Sequence, residues 1–217
     1  MNWIYIFTAM TIGVIALFGY QLNKNKRYLH RFKKAYDKDL VILDTETSGL
    51  NVFHDDIVQI AAVRVKSGKV IGEPFNIFIQ SFKQLPPMLG NVPNPLIDYY
   101  YSPDCKKVSR EEGLKLLMHF VGDSPILGHN VNFDYYMLIN NMKRISTRAT
   151  KVRWSPIRFD TIRLARILFP SLRSYSLAFL REELHLTTDT DPGKPAHFAD
   201  VDVQLTKSLA SLCASKI

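Results

Sequence analysis

The chain opens on an uninterrupted apolar stretch. Met1 to Leu22 holds no charged side chain, and Trp3 to Tyr20 is broken only by Thr8 and Thr11 among polar residues. As a helix it would span roughly 33 Å, enough for a hydrocarbon core of about 30 Å. Trp3, Tyr5 and Tyr20 stand near its ends, where aromatic residues meet a membrane interface. A cleaved signal peptide would want a basic start, a shorter apolar core and a small-residue cleavage site, and none is found. After this stretch the pattern shortens. Leu40–Leu43 reads as a buried strand, Ile57–Lys66 as a second, and Val70–Gln80 as a third beyond the turn Ser67-Gly68-Lys69. Helical spacing returns at Arg110–Val121, behind a Ser109 cap. Short strands at Ile126–His129 and Ile157–Phe159 alternate with helices at Asn132–Ile145 and Thr161–Leu168, the latter capped by Asp160. Ser176–Leu184 and Ala199–Ser215 are the last helices, and Leu96–Tyr101 a short one inside the Pro-rich stretch Lys83–Pro103. Strands followed by alternating helix and strand predict an α/β layered domain.

Charge changes the picture chiefly beside the apolar start. The formal net charge is +8. Lys24, Lys26, Arg27, Arg31, Lys33, Lys34 and Lys38 face Asp37 alone, so +6 falls in Asn23–Lys38 and +2 in all that follows. Beside an apolar helix this flank orients the chain with its basic side in the cytoplasm and rests on anionic lipid; contact with nucleic acid is the alternative. The expected organisation is a transmembrane anchor over 1–22, a basic juxtamembrane linker over 23–38 and a cytoplasmic folded domain over 39–217. A second basic run, Lys143–Arg173, carries +8 and could line a nucleic-acid path, lean on lipid or form a solvated face. The two cysteines, Cys105 and Cys213, exclude a disulfide scaffold and a cysteine zinc site.

The candidate chemistry lies in carboxylates. Asp44 and Glu46 stand at i and i+2 on a strand end, so their side chains leave the same face. Crowded acids there repel one another unless a cation lies between them, and hard oxygen ligands suit magnesium or manganese. Asp134 falls in the first turn of the helix after the strand ending at His129. His197 precedes the last helix, and Asp202 lies on it. Each taken singly has a plain structural explanation, as turn acid, helix cap or surface histidine.

Together they form three ordered motifs: DTETSGL from Asp44, HNVNFD from His129 and HFADVD from His197. The set resembles the DEDDh-type 3′–5′ exonucleases, the group that includes the epsilon subunits of bacterial DNA polymerase III, over roughly Leu40 to Leu212. The resemblance implies a ribonuclease H-like fold with a mixed five-stranded sheet. It implies two divalent cations, Mg²⁺ or Mn²⁺, on Asp44, Glu46, Asp134 and Asp202, with His197 as general base. It also implies hydrolysis from the 3′ end of DNA or RNA with release of nucleoside 5′-monophosphates, and no small-molecule cofactor. Thr47, Gly49 and Leu50 would hold the 3′-terminal nucleotide, with His129 and Phe133 as further substrate contacts. The sister subgroup has Tyr where Phe198 stands. The His-Gly-Ile segment of many polymerase-type members is missing, and no polymerase-docking extension follows the last helix. A stand-alone tethered exonuclease is therefore expected. The alternatives are a proofreading enzyme acting with a polymerase and a non-catalytic tethered nucleic-acid-binding module.

Overall fold

The computed structural model describes residues 3–145, 154–188 and 198–217, without the side chains of residues 3–13, 15 and 16. Its first element, α1 (Trp3–Lys38), is a single helix of 36 residues. The expected linker over 23–38 is thus the second half of α1, and it belongs to the folded unit. Phe32 is fully buried and Tyr36 nearly so. The Tyr36 hydroxyl lies 2.7 Å from the Ser211 hydroxyl. Its ring covers Gly68 in a turn where Ser67 and Gly68 both take positive φ, 50° and 73°. Such a turn matches strand twist and joins hairpin strands with two residues. No helix is long and apolar enough to cross a membrane among the described residues, so the structure does not bear out the expected anchor.

The hairpin strands are β2 (Ile57–Lys66) and β3 (Lys69–Ile79), preceded by β1 (Leu40–Thr47). A small hairpin, β4 (Met88–Leu89) with β5 (Val92–Pro93), leads into α2 (Leu96–Tyr101). There follow β6 (Lys107–Val108), α3 (Arg110–Val121), β7 (Ile126–Gly128), α4 (Val131–Ile145) and β8 (Arg158–Asp160). The chain ends with α5 (Thr161–Leu168), α6 (Leu177–Glu183) and α7 (Ala199–Ser215). Ser109 and Asp160 each accept from a first-turn amide, as expected, and Ser176, expected as the first residue of its helix, caps it in the same way.

The main sheet is mixed, with six strands in the order β6-β3-β2-β1-β7-β8 rather than the expected five. The additional strand is β6, two residues pairing parallel with β3 at Phe78–Lys107 and Ile79–Val108. Two residues are too short to imprint a period on the sequence, and only the neighbouring edge makes them a strand. Pairing is antiparallel from β1 through β3 and parallel from β1 to β7 and β8.

Alternation along β1 sorts the core. Leu40 and Ile42 pack with α1, α5, α6 and α7 on one face, while Val41 and Leu43 pack with α3 and α4 on the other. Both faces of the central strands are covered, which is why they read as continuous apolar runs. Continued one step further, the same alternation sends Asp44 and Glu46 to the α7 face and Thr45 to the α4 face.

Candidate active site

The carboxylates meet where β1 leaves the apolar core. Oxygens of Asp44, Glu46 and Asp202 all lie within 4.8 Å of one another, and all three residues are half-buried. Asp202 reaches them from the first turn of α7. Asp134 approaches from the other face, on the first turn of α4, and is buried at 3% exposure. Thr45 fixes it: the Thr45 amide donates to Asp134 Oδ1 at 3.0 Å and the Thr45 hydroxyl at 2.7 Å. One residue between the two metal-type acids of β1 thereby ties the acid of the opposite helix to the same strand.

Electrostatics agree with the geometry. Burial, then the charges of Asp134, Asp202 and Glu46, push the Asp44 carboxyl well above its ordinary range. Burial, then Asp202 and Asp134, push Glu46 up to about 8. Burial pushes Asp134 up to about 7, although the two Thr45 hydrogen bonds favour its ionised form. Acids crowded this closely, each offering hard oxygen donors, form a donor set that fits a divalent cation.

The sequence did not single out Gln59, yet the structure places it at the base of the site. It is fully buried and pairs across the sheet with Glu46. Its Oε1 accepts from the Ala199 amide at 3.2 Å, and its Nε2 donates to Asn76 Oδ1 at 2.9 Å and to Asp200 Oδ1 at 3.4 Å. The start of α7, which carries Asp202, is thus pinned to β2. A lone amide within the apolar run IVQIAAV was the available signal. A second polar anchor, Asp56, is buried and paired with Arg110 at 2.5 Å and Arg144 at 3.0 Å, beneath the loop that follows β1.

The expected substrate contacts separate. Thr47 donates its hydroxyl proton to the Gly49 carbonyl at 2.7 Å, shaping the turn. A Cβ on Gly49 would overlap the Asp55 carboxylate, so the close approach that requires glycine there comes from the protein itself. Leu50 stands 86% exposed, an apolar side chain presented to solvent on the loop after β1. Phe133 packs against the core under α3 and α4. His129 Nδ1 lies 2.9 Å from the Thr161 hydroxyl, and burial lowers the imidazole's pKa. These last two make contacts within the scaffold, and both remain partly exposed. His197 lies outside the described residues.

Comparison with known proteins places this arrangement. The sequence profile of the exonuclease family matches residues 41–92 and 103–210. The PolC-type DNA polymerase III of Thermotoga maritima is 32% identical over 69% of this chain, and that of Clostridium perfringens 26% identical over 72%. The chain spans about a tenth of the length of these curated relatives. Among solved structures, Exonuclease X in complex with 5′-overhanging duplex DNA superposes with a TM-score of 0.57 at 24% identity, covering 81% of this chain and 91% of that one. E. coli Exonuclease I in complex with a dT13 oligonucleotide superposes with a TM-score of 0.61 at 24% identity, covering 81% of this chain and 40% of that one. With the profile spanning most of the sequence, the chain belongs to the exonuclease family.

Proposed function

We propose that this protein is a metal-dependent 3′–5′ exonuclease that trims the 3′ end of DNA or RNA and releases nucleoside 5′-monophosphates. The meeting of Asp44, Glu46 and Asp202 within 4.8 Å, with Asp134 held behind them by Thr45, carries the proposal. These four carboxylates would hold two divalent cations, Mg²⁺ or Mn²⁺. When bound, the cations supply charge neutralisation to the phosphodiester and acidify the attacking water. The protein's own part is positional and protolytic. Thr45 and Gln59 keep the acids of α4 and α7 against β1. His197, one residue before the described Phe198, accepts the water's proton as general base. Leu50 meets the terminal base, and the turn formed by Thr47 and Gly49 supports it.

On the sequence pattern alone, the side chains of residues 3–13, 15 and 16 lying outside the described ones, residues 1–22 would anchor the enzyme in a membrane as a single pass, with the catalytic domain in the cytoplasm. The uncharged Met1–Leu22 stretch and the basic flank support this placement. The similarity to PolC-type polymerases favours, as a second function, proofreading alongside a polymerase.

The test incubates the full chain with 3′- and 5′-labelled single-stranded DNA and RNA in Mg²⁺, Mn²⁺ or EDTA. Stepwise loss from the 3′ end that requires metal and is abolished by Asp44→Ala is the expected result. A folded protein that shows no metal-dependent hydrolysis of any polymer would refute it.

A further inference from the structure

The direction of α1 relative to the sheet carries the inference. Tyr36 touches Ser211, near the end of α7. Phe32 packs on Phe159 with ring centroids 5.8 Å apart, and the Tyr28 hydroxyl accepts from the Asp160 amide at 2.7 Å. Moving toward its own start, α1 therefore climbs to the end of the sheet where β7 and β8 finish. Gly128 pairs there with Asp160, one step beyond the pairing of β7 with β1 that precedes Asp44. The residues of α1 before Tyr28 thus project past the catalytic end.

A cleft of about 340 Å³ opens at that point, lined by Tyr20, Asn23, Lys24, Arg27, Tyr28, Arg31 and Arg163. Four of the seven are cationic and none is acidic. Among the described residues, Lys24, Arg27, Arg31 and Arg163 are in no ion pair, whereas Lys33 of the same flank is tied to Asp37. The Arg163 guanidinium lies 3.8 Å over the Tyr28 ring, so it is already ordered facing the flank. Above the cleft the same helix exposes Val14, Leu17, Phe18 and Tyr20, each by 66–70%. From Tyr20, Lys24 lies roughly 6 Å along the axis, at the depth of the headgroup layer, while Arg27 and Arg31 lie roughly 10–16 Å along it and reach that layer only with their long side chains extended toward it. The family match begins at residue 41, so the α1 wall of this cleft lies outside the family pattern.

We infer that Lys24, Arg27 and Arg31 of α1, together with Arg163 of α5, form one site for the phosphate headgroup of an anionic phospholipid, and that the catalytic end faces the bilayer. The inference rests on the membrane placement of residues 1–22. Apolar side chains directly above a concavity lined by four cations, with Asp160 the nearby acid on the far side of Tyr28, complement a lipid whose tail and phosphate are joined in that order.

The test floats the full chain with vesicles of phosphatidylcholine alone or mixed with phosphatidylglycerol, and scores the gain in binding due to the anionic lipid. Arg163→Gln is expected to cut that gain about fivefold, the effect of one cation near the surface. Arg163→Lys should retain most of it. Lys69→Gln, exposed at the opposite end of the sheet, should change it little. Binding to the neutral vesicles reports on residues 1–22, and trimming of a short oligonucleotide in detergent reports on the enzyme, so either can fail separately. The inference is overturned if Arg163→Gln matches the wild type, or if Lys69→Gln costs as much, which would make the attraction diffuse. It is equally overturned if Arg163→Gln leaves the anionic gain intact but weakens binding of a single-stranded oligonucleotide, which would give the cleft to nucleic acid.

Discussion

Replacing Asp44 by Asn should stabilise the metal-free protein while abolishing its activity. Asp44, Glu46 and Asp202 hold oxygens within 4.8 Å of one another. At an effective dielectric of about 20, two full charges at that separation repel by about 3 kcal/mol. Asn keeps the side chain's shape and removes its charge, so after loss of some hydrogen bonding a gain of roughly 1–3 kcal/mol is expected at high pH. For a domain of this size that is roughly 2–10 °C in Tm. The sign with pH follows from the raised carboxyls. Glu46 and Asp134, pushed up to about 8 and about 7, are more easily ionised unfolded than folded. Their share of stability is complete below the ordinary carboxylate range and is lost as pH rises through those values. The wild type in EDTA should therefore lose Tm between about pH 5 and about pH 9, with a shallower loss in Asp44→Asn. The assay is thermal unfolding by circular dichroism at both ends of that range, with EDTA and then with Mg²⁺. Mg²⁺ should raise the wild type more than the variant and reverse their order. Equal Tm differences at both pH values, or a variant less stable at high pH in EDTA, would refute mutual repulsion among these acids.

Other consequences follow from the same geometry. Phe32→Ala should cost about 3–5 kcal/mol, since a fully buried ring is lost from the main core; urea unfolding measures it, and removal of residues 1–39 should destabilise the domain at least as much. Gln59→Leu should release the start of α7 and weaken metal affinity roughly 10–100-fold, as loss of a group supporting ligands does, which calorimetric Mg²⁺ titration would detect. His197→Ala should lower the rate by roughly 10²–10⁴ and flatten the acid limb of the pH–rate profile, whereas His129→Ala should leave that limb in place and appear instead as a loss of stability.

The sequence by itself carried the strands, most helices and the acids, because these depend on local pattern. The alternation of β1 already dictated that Asp44 and Glu46 share a face, and caps such as Ser109 and Asp160 are chemistry within a few residues of the chain. Tertiary structure alone decided what depends on distant neighbours. The edge strand β6 exists only because β3 offers a partner. Thr45 earns its place through Asp134, 89 residues away, and Gln59 through α7, 140 residues away. Phe133 and His129 read as substrate contacts from their position in a motif, and only the fold shows that Phe133 also packs partly on the core and that His129 meets the Thr161 hydroxyl. The flank 23–38 looked like a linker because charge dominates its composition. One face of the helix, Tyr28, Phe32 and Tyr36, is apolar at helical spacing, and only the docked domain shows that this face is core. Local residues fix which groups are present and how each strand or helix orients them; only the folded chain brings distant side chains close enough to repel, bind or bury one another.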